Sequence, residues 1–272
     1  MARFGRQLVQ WAYDSPVRWG YLYLTASEKA LTALGPTAAP AWWGLVLVSL
    51  VSGLLSVGVW SVGAVLFDPN SANPALLTAA VIILWPMRRP LTSLAQLTVR
   101  HVPSRSLLLG VLAISVVLLV CELQSRNYPM EDQLSWAVAW IRPWETHFRV
   151  LILAPLWGVW TLFIGPKLCH HCERTDAATA ALATRVGPLM SAALMALPLG
   201  GTLLYFQWLG VWVFIPALAP LAAAVIGPAL LCRRTGGLGR RALLAASAAT
   251  QLVFFLSYLV ARHYWTSRYF VG

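Results

Sequence analysis

The chain has 272 residues, 59% of them hydrophobic and 11% charged, with 20 Lys and Arg against nine Asp and Glu and a formal net charge of +11. A mean hydropathy of +0.69 marks more apolar surface than one soluble core buries, which excludes an ordinary water-soluble domain and makes lipid part of the solvent. The charge, unaccompanied by a helix-turn-helix, zinc-finger or RNA-binding signature, points away from nucleic acid and towards the Lys/Arg-rich cytoplasmic loops that membrane insertion favours.

The sequence therefore reads as an all-α, multi-pass helical bundle of the cytoplasmic (inner) membrane. Residues 1–40 form a cytoplasmic or interfacial segment, and 41–272 a single transmembrane domain. The N-terminus begins basic but lacks the long apolar run and small-residue cleavage site of a signal peptide, so the first span is expected to be retained. Trp11, Tyr13, Trp19, Tyr21 and Tyr23, set among Arg6, Arg18 and Lys29, predict a helix lying on the membrane surface.

Apolar runs then predict about seven spans, near 41–66, 74–87, 106–122, 150–166, 187–207, 211–232 and 242–262, against the ~20 residues a crossing requires. The second is short. Its apolar core would measure only about 21 Å as a helix and leaves open whether it crosses fully. Charge favours seven crossings with the N-terminus inside and the C-terminus outside. Only Arg126, Arg142, Arg149, Arg262 and Arg268 of the 20 basic residues then fall outside, as the positive-inside rule expects. Many of the 14 Trp residues fall where the chain should pass the headgroups. Trp136, Trp140 and Trp144, four residues apart in the long outer loop, predict a second interfacial helix.

Every Asp, Glu, Lys and Arg is expected in a loop or at a span end, which leaves no charged residue for a proton relay or an ion-coupled carrier. In the last span Thr250 and Gln251 are polar at mid-membrane depth. Interhelical hydrogen bonding is their first explanation and a substrate contact the second. In the first span Ser49 and Gly53, with Ser52 and Ser56, have the small-xxx-small spacing of close helix contacts. The fifth and sixth spans carry Pro198, Pro216, Pro220 and Pro228, and such breaks can line a cavity.

Two weak ligand patterns remain. Cys169-His170-His171-Cys172 places two thiols and imidazoles at a knuckle spacing suited to zinc, with Cys169, Cys172, His171, His101 and Cys232 as the candidate ligands. His147 and His263, both at outer span ends, are a candidate axial pair for haem. Zinc-protease and nucleophile-elbow motifs are absent, as are the acidic clusters of metal-phosphate transferases, so an enzyme is not expected.

The leading expectation is a non-enzymatic, membrane-embedded scaffold or complex subunit. Arg233, Arg234, Arg240 and Arg241 would face anionic lipid head groups or other subunits. The alternatives are a small-molecule or lipid permease with its cavity at the Pro-broken spans, and a haem- or metal-binding redox subunit.

Overall fold

The computed structural model describes residues 16–25, 42–67, 71–98, 102–125, 146–169, 177–237 and 239–270. Regular structure among them is entirely helical: α1 Pro16–Thr25, α2 Trp42–Leu66, α3 Asn73–Leu84, α4 Arg88–Thr98, α5 Val102–Ser125, α6 Thr146–Leu168, α7 Ala177–Arg185, α8 Pro188–Leu194 and α9 Ala196–Tyr205. A 3-10 segment, Gln207–Val213, leads into α10 Phe214–Thr235, and α11 is Arg240–Phe270.

Among the described residues, five stretches are long and apolar enough to cross a membrane: Trp42–Leu66, Phe148–Leu168, Pro188–Tyr205, Gln207–Thr235 and Arg240–Ser267. The second and third expected spans correspond to shorter apolar helices, α3 and the stretch Leu112–Glu122 of α5. At 1.5 Å per residue the 12 residues of α3 reach about 18 Å.

The middle of α2 is turned inside out relative to a helix of a soluble bundle. Beside Leu45, Val46, Val48 and Trp60, its buried side carries Ser49, Ser52, Gly53, Ser56 and Gly63, whereas Leu47, Val51, Leu54, Val62 and Val65 are exposed. In water this would be a large unsolvated patch. Against acyl chains it is the expected arrangement, because small residues let helix backbones approach while the large apolar ones meet lipid. The small-xxx-small spacing works in this way: a Cβ on Gly53 would sit 2.8 Å from the Ile152 Cα of α6.

At the centre lies α6, which packs against α2, α7, α8, α9, α10 and α11. Trp157 and Phe163 are fully enclosed there. The break between α8 and α9 is closed by this hub. Met195 N–H bonds back to Ala192 rather than to Ser191, and the Ser191 carbonyl instead accepts from Trp160 Nε1 at 2.9 Å. Ser191 Oγ in turn donates to the Phe163 carbonyl at 3.2 Å. The backbone acceptor released by the break is thus satisfied by a neighbouring helix, one of the ways in which membrane helices tolerate interruption.

Two helices depart from expectation. The N-terminal helix α1 does not simply lie on the surface: Trp19, Tyr23 and Leu24 are buried, and Gly20 sits so close to α2 that a Cβ there would be 2.7 Å from the Gly44 carbonyl group. Residues 88–98, read from sequence as loop, form the amphipathic helix α4, which turns Pro90, Leu91, Ser93 and Ala95 inward against α5 and α11. The proposed interfacial helix at Trp136, Trp140 and Trp144 lies outside the described residues.

Candidate functional site

The last helix brings its polar residues to a seam with α6. Thr161 donates to Thr250 Oγ1 at 3.0 Å, and Thr250 donates to the Ala246 carbonyl, also at 3.0 Å. On the other side of α6, Trp157 Nε1 donates to Thr202 Oγ1 at 3.1 Å, tying in α9. Thr250 is therefore occupied in interhelical bonding. Gln251, the next residue, faces elsewhere. It crosses α6 over Gly158, where an added Cβ would collide with its amide and come within 2.8 Å of Ser247 Oγ.

Gln251 opens onto a narrow cleft with about 20 Å³ of free space, partly open to the outside and lined by residues of α1, α2, the α3–α4 corner, α6 and α11. Its lining carries the polar side chains of Ser49, Ser52, Ser247 and Gln251, the apolar Leu24, Val48, Pro155 and Val159, and Tyr21, Thr25, Trp85, Pro86 and Pro90. Ser49 Oγ is satisfied by the Leu45 carbonyl at 3.0 Å. Ser52 Oγ, on a residue only 3% exposed, has no hydrogen-bond partner. Such a buried hydroxyl costs about 1–3 kcal/mol until something pairs with it.

The cleft owes its place to the short α3. The α2 level at Gly63 meets the start of α3, with Pro74 Cα 3.0 Å from a Cβ built on Gly63. Descending about 18 Å, the chain turns at Trp85 and Pro86 beside Ser52 rather than continuing along α2. Counted from the Trp42 end of α2 and the Arg240 end of α11, Ser52 and Gln251 lie about 15–17 Å deep.

One wall of the cleft, α1, is pinned by cations. Arg240 Nε donates to the Tyr23 carbonyl at 2.8 Å, Arg240 Nη2 reaches the Tyr23 and Leu22 carbonyls, and the guanidinium lies 5.3 Å from the Tyr23 ring centroid. Arg89 Nε takes the Thr25 carbonyl at 3.2 Å. Two arginines thus cap the helix C-terminus, where carbonyls lack intrahelical donors and the dipole favours positive charge. On the opposite side Tyr23 OH bonds Thr179 Oγ1 of α7 at 3.0 Å.

Among the described residues, the lining contains no carboxylate, imidazole, amine, guanidinium or thiol. It offers hydroxyls and one carboxamide in an apolar surround, which suits binding of an uncharged molecule with a polar group at one end.

The other sequence candidates distribute as follows. Of the four arginines expected to face lipid or a partner, Arg233, Arg234 and Arg241 are exposed, while Arg240 is buried because the carbonyls of α1 claim it. Cys169, just after α6, and Cys232, in the last turn of α10, are neighbours, Cys169 Sγ donating to the Pro228 carbonyl at 3.4 Å. The adjacent Cys232 thiol, followed by burial, raises the Cys169 thiol above its ordinary pKa. His101, His171 and Cys172 lie outside the described residues, and among those described no group of three His, Cys, Asp or Glu side chains could hold a metal ion. His263 is exposed, its ring centroid 6.0 Å from that of Tyr264. The side chain of His147 is outside the described set.

Sequence reasoning missed two buried arginines at the end of the bundle remote from Arg240. Both had been placed in outer segments. Arg149 Nη1 donates to the Tyr205 carbonyl at 3.2 Å. Arg262 Nη1 donates to Tyr258 OH at 3.3 Å, and its guanidinium stands 5.9 Å from the Trp208 ring centroid. Their spacing in the chain gives no hint of this, but the aromatic residues around each do. No family model, curated protein or solved structure matches the chain.

Proposed function

We propose that this is a multi-spanning membrane protein that takes an uncharged amphiphile, such as a long-chain alcohol or a neutral lipid, into the cleft beneath α1. The observation that carries the reading is the unpaired, buried Ser52 hydroxyl across the same cleft as Gln251. A ligand hydroxyl or carbonyl placed between them relieves the unmet hydrogen bond while its chain runs out past Tyr21 and Trp85 into lipid. This is a lipid- or small-molecule-handling role, with its site displaced from the Pro-rich spans to the first, fourth and last.

The test uses a photoreactive hexadecanol carrying a diazirine, added to the full chain in vesicles. Crosslinks are expected to concentrate on peptides containing Tyr21, Ser52 and Trp85, and to fall at least fivefold in a Gln251→Leu variant that inserts normally. Labelling spread evenly over the lipid-facing sides of α2 and α10, unchanged by the substitution, overturns the reading.

A second role has its own observation. Arg88, Arg89, Arg233, Arg234 and Arg241 are exposed, and the bonds from Arg89 and Arg240 to α1 gather them at one end. The one acidic side chain among the described residues, Glu122, lies at the far end of α5. This supports an inward-facing basic surface that holds anionic headgroups or the acidic face of another subunit in the cytoplasmic membrane, each cation contributing about 1 kcal/mol near an anionic leaflet. Replacing Arg233, Arg234 and Arg241 by Gln should lower copurifying anionic lipid several-fold. An unchanged lipid content removes the role.

A further inference from the structure

We propose that Cys169 and Cys232 form a redox-sensitive dithiol that closes to a disulfide, stapling the end of α6 to the end of α10. The two helices meet along a seam whose register is set one turn earlier. A Cβ on Gly165 would lie 3.2 Å from Pro228 Cβ, so glycine is what lets the helices touch there. Four residues further on each helix come Cys169 and Cys232. Cys169 Sγ lies 3.4 Å from the Pro228 carbonyl oxygen, one helical turn before Cys232 on α10, which makes the two thiols neighbours. Disulfide formation between helices needs just such facing positions.

The pair lies at helix ends rather than in the middle of the bundle. Cys169 is the residue immediately after α6, and Cys232 lies in the last turn of α10, which ends at Gly236 with a left-handed φ of 75°. The thiols are 9% and 5% exposed, enclosed but at an end of the bundle. Lys167, Arg233, Arg234 and Arg241 stand within a few residues along the chain or across the α10–α11 turn. Such a field draws in anionic oxidants.

The oxidant is a low-molecular-weight disulfide, of which glutathione disulfide is the anionic example. One thiol of the pair, as thiolate, attacks a sulfur of the glutathione disulfide; that S–S bond breaks and one glutathione leaves as thiolate, taking up a proton. The second thiol of the pair then attacks the protein sulfur of the mixed disulfide and expels the second glutathione. The protein has lost two electrons and two thiol protons, and the oxidant has become two glutathione thiols. Because α6 supplies Pro155 and Val159 to the cleft, the staple fixes one wall of that site against α10.

The full chain in vesicles, treated with a chelator to free any thiol-bound metal, is equilibrated with oxidised glutathione, alkylated and mapped without reduction. The expected result is a Cys169–Cys232 linked peptide, a fall from four alkylatable thiols to two, and full recovery with dithiothreitol. In Cys232→Ser the product at Cys169 is a glutathione adduct. Persistent alkylation of both Cys169 and Cys232 overturns the proposal, as does a Cys169–Cys172 linkage that leaves Cys232 free.

Discussion

Gly53 and Gly158 both sit where α6 crosses another helix, yet they do different work. A Cβ at Gly53 meets backbone, the Ile152 Cα at 2.8 Å and the Leu151 carbonyl oxygen at 3.1 Å, and neither can move without displacing a helix. Gly53→Ala is expected to cost about 1–3 kcal/mol, as overpacking does, read as loss of thermal stability in detergent. At Gly158 the obstacles are side chains, the Gln251 amide and Ser247 Oγ, so Gly158→Ala should cost less stability than Gly53→Ala while swinging the amide away and lowering alcohol-probe labelling at Ser52. Equal losses of stability in the two variants would contradict this division. Arg240 is the third decisive residue. Arg240→Gln removes charged hydrogen bonds of about 1.5–3 kcal/mol and is expected to raise amide exchange in α1 at least tenfold, with α6 unaffected. Polar residues inside an apolar span, Thr250 and Gln251, were conspicuous in the sequence, and so were Cys169 and Cys232 at the ends of two others. The inward turn of Arg240 was not, since its acceptors lie more than 200 residues away and are carbonyls, which every residue has.

Among the elements, the long apolar helices were legible because about 20 apolar residues in a row have few other uses. The amphipathic α4 was partly legible: Leu91, Leu94 and Leu97 recur every three residues, but Pro90 and the flanking arginines disguised the start, although proline is well placed in a helix's first turn. The prolines of the fifth and sixth spans suggested a cavity there. A break can open a site or be sealed by a neighbour, and at α8–α9 the indole of Trp160 seals it. Trp160→Phe keeps the ring's bulk but leaves the Ser191 carbonyl unpaired in an apolar environment. It is expected to destabilise the protein by about 1–3 kcal/mol and to increase exchange selectively in α8 and α9, measurable by hydrogen–deuterium exchange. A uniform increase across the bundle would mean that the indole bond does not hold the joint.

For the whole molecule, the exposed described arginines mark one end, while Trp208, Trp212, Tyr264 and Trp265 gather at the other, Trp208 and Trp265 edge to face at 5.0 Å and Trp212 stacked on Tyr264 at 5.2 Å. Sidedness can be read directly. In a cysteine-free background, Arg234→Cys and His263→Cys should react with a membrane-impermeant maleimide from opposite faces of intact cells, only His263→Cys from outside. The reverse pattern would invert the orientation, and labelling of both from one face would show that α11 does not cross. The 12-residue α3 also carries a consequence for the membrane itself. Beside it, α2 has 25 residues and measures about 37 Å, so no bilayer of uniform thickness matches both. If α3 crosses, lipid along it has to thin, at a cost of fractions of a kcal/mol per Å, and the depression falls beside the cleft. The protein should therefore be stabilised by short-chain lipids and destabilised by long ones, and it should gather where the bilayer is already thin.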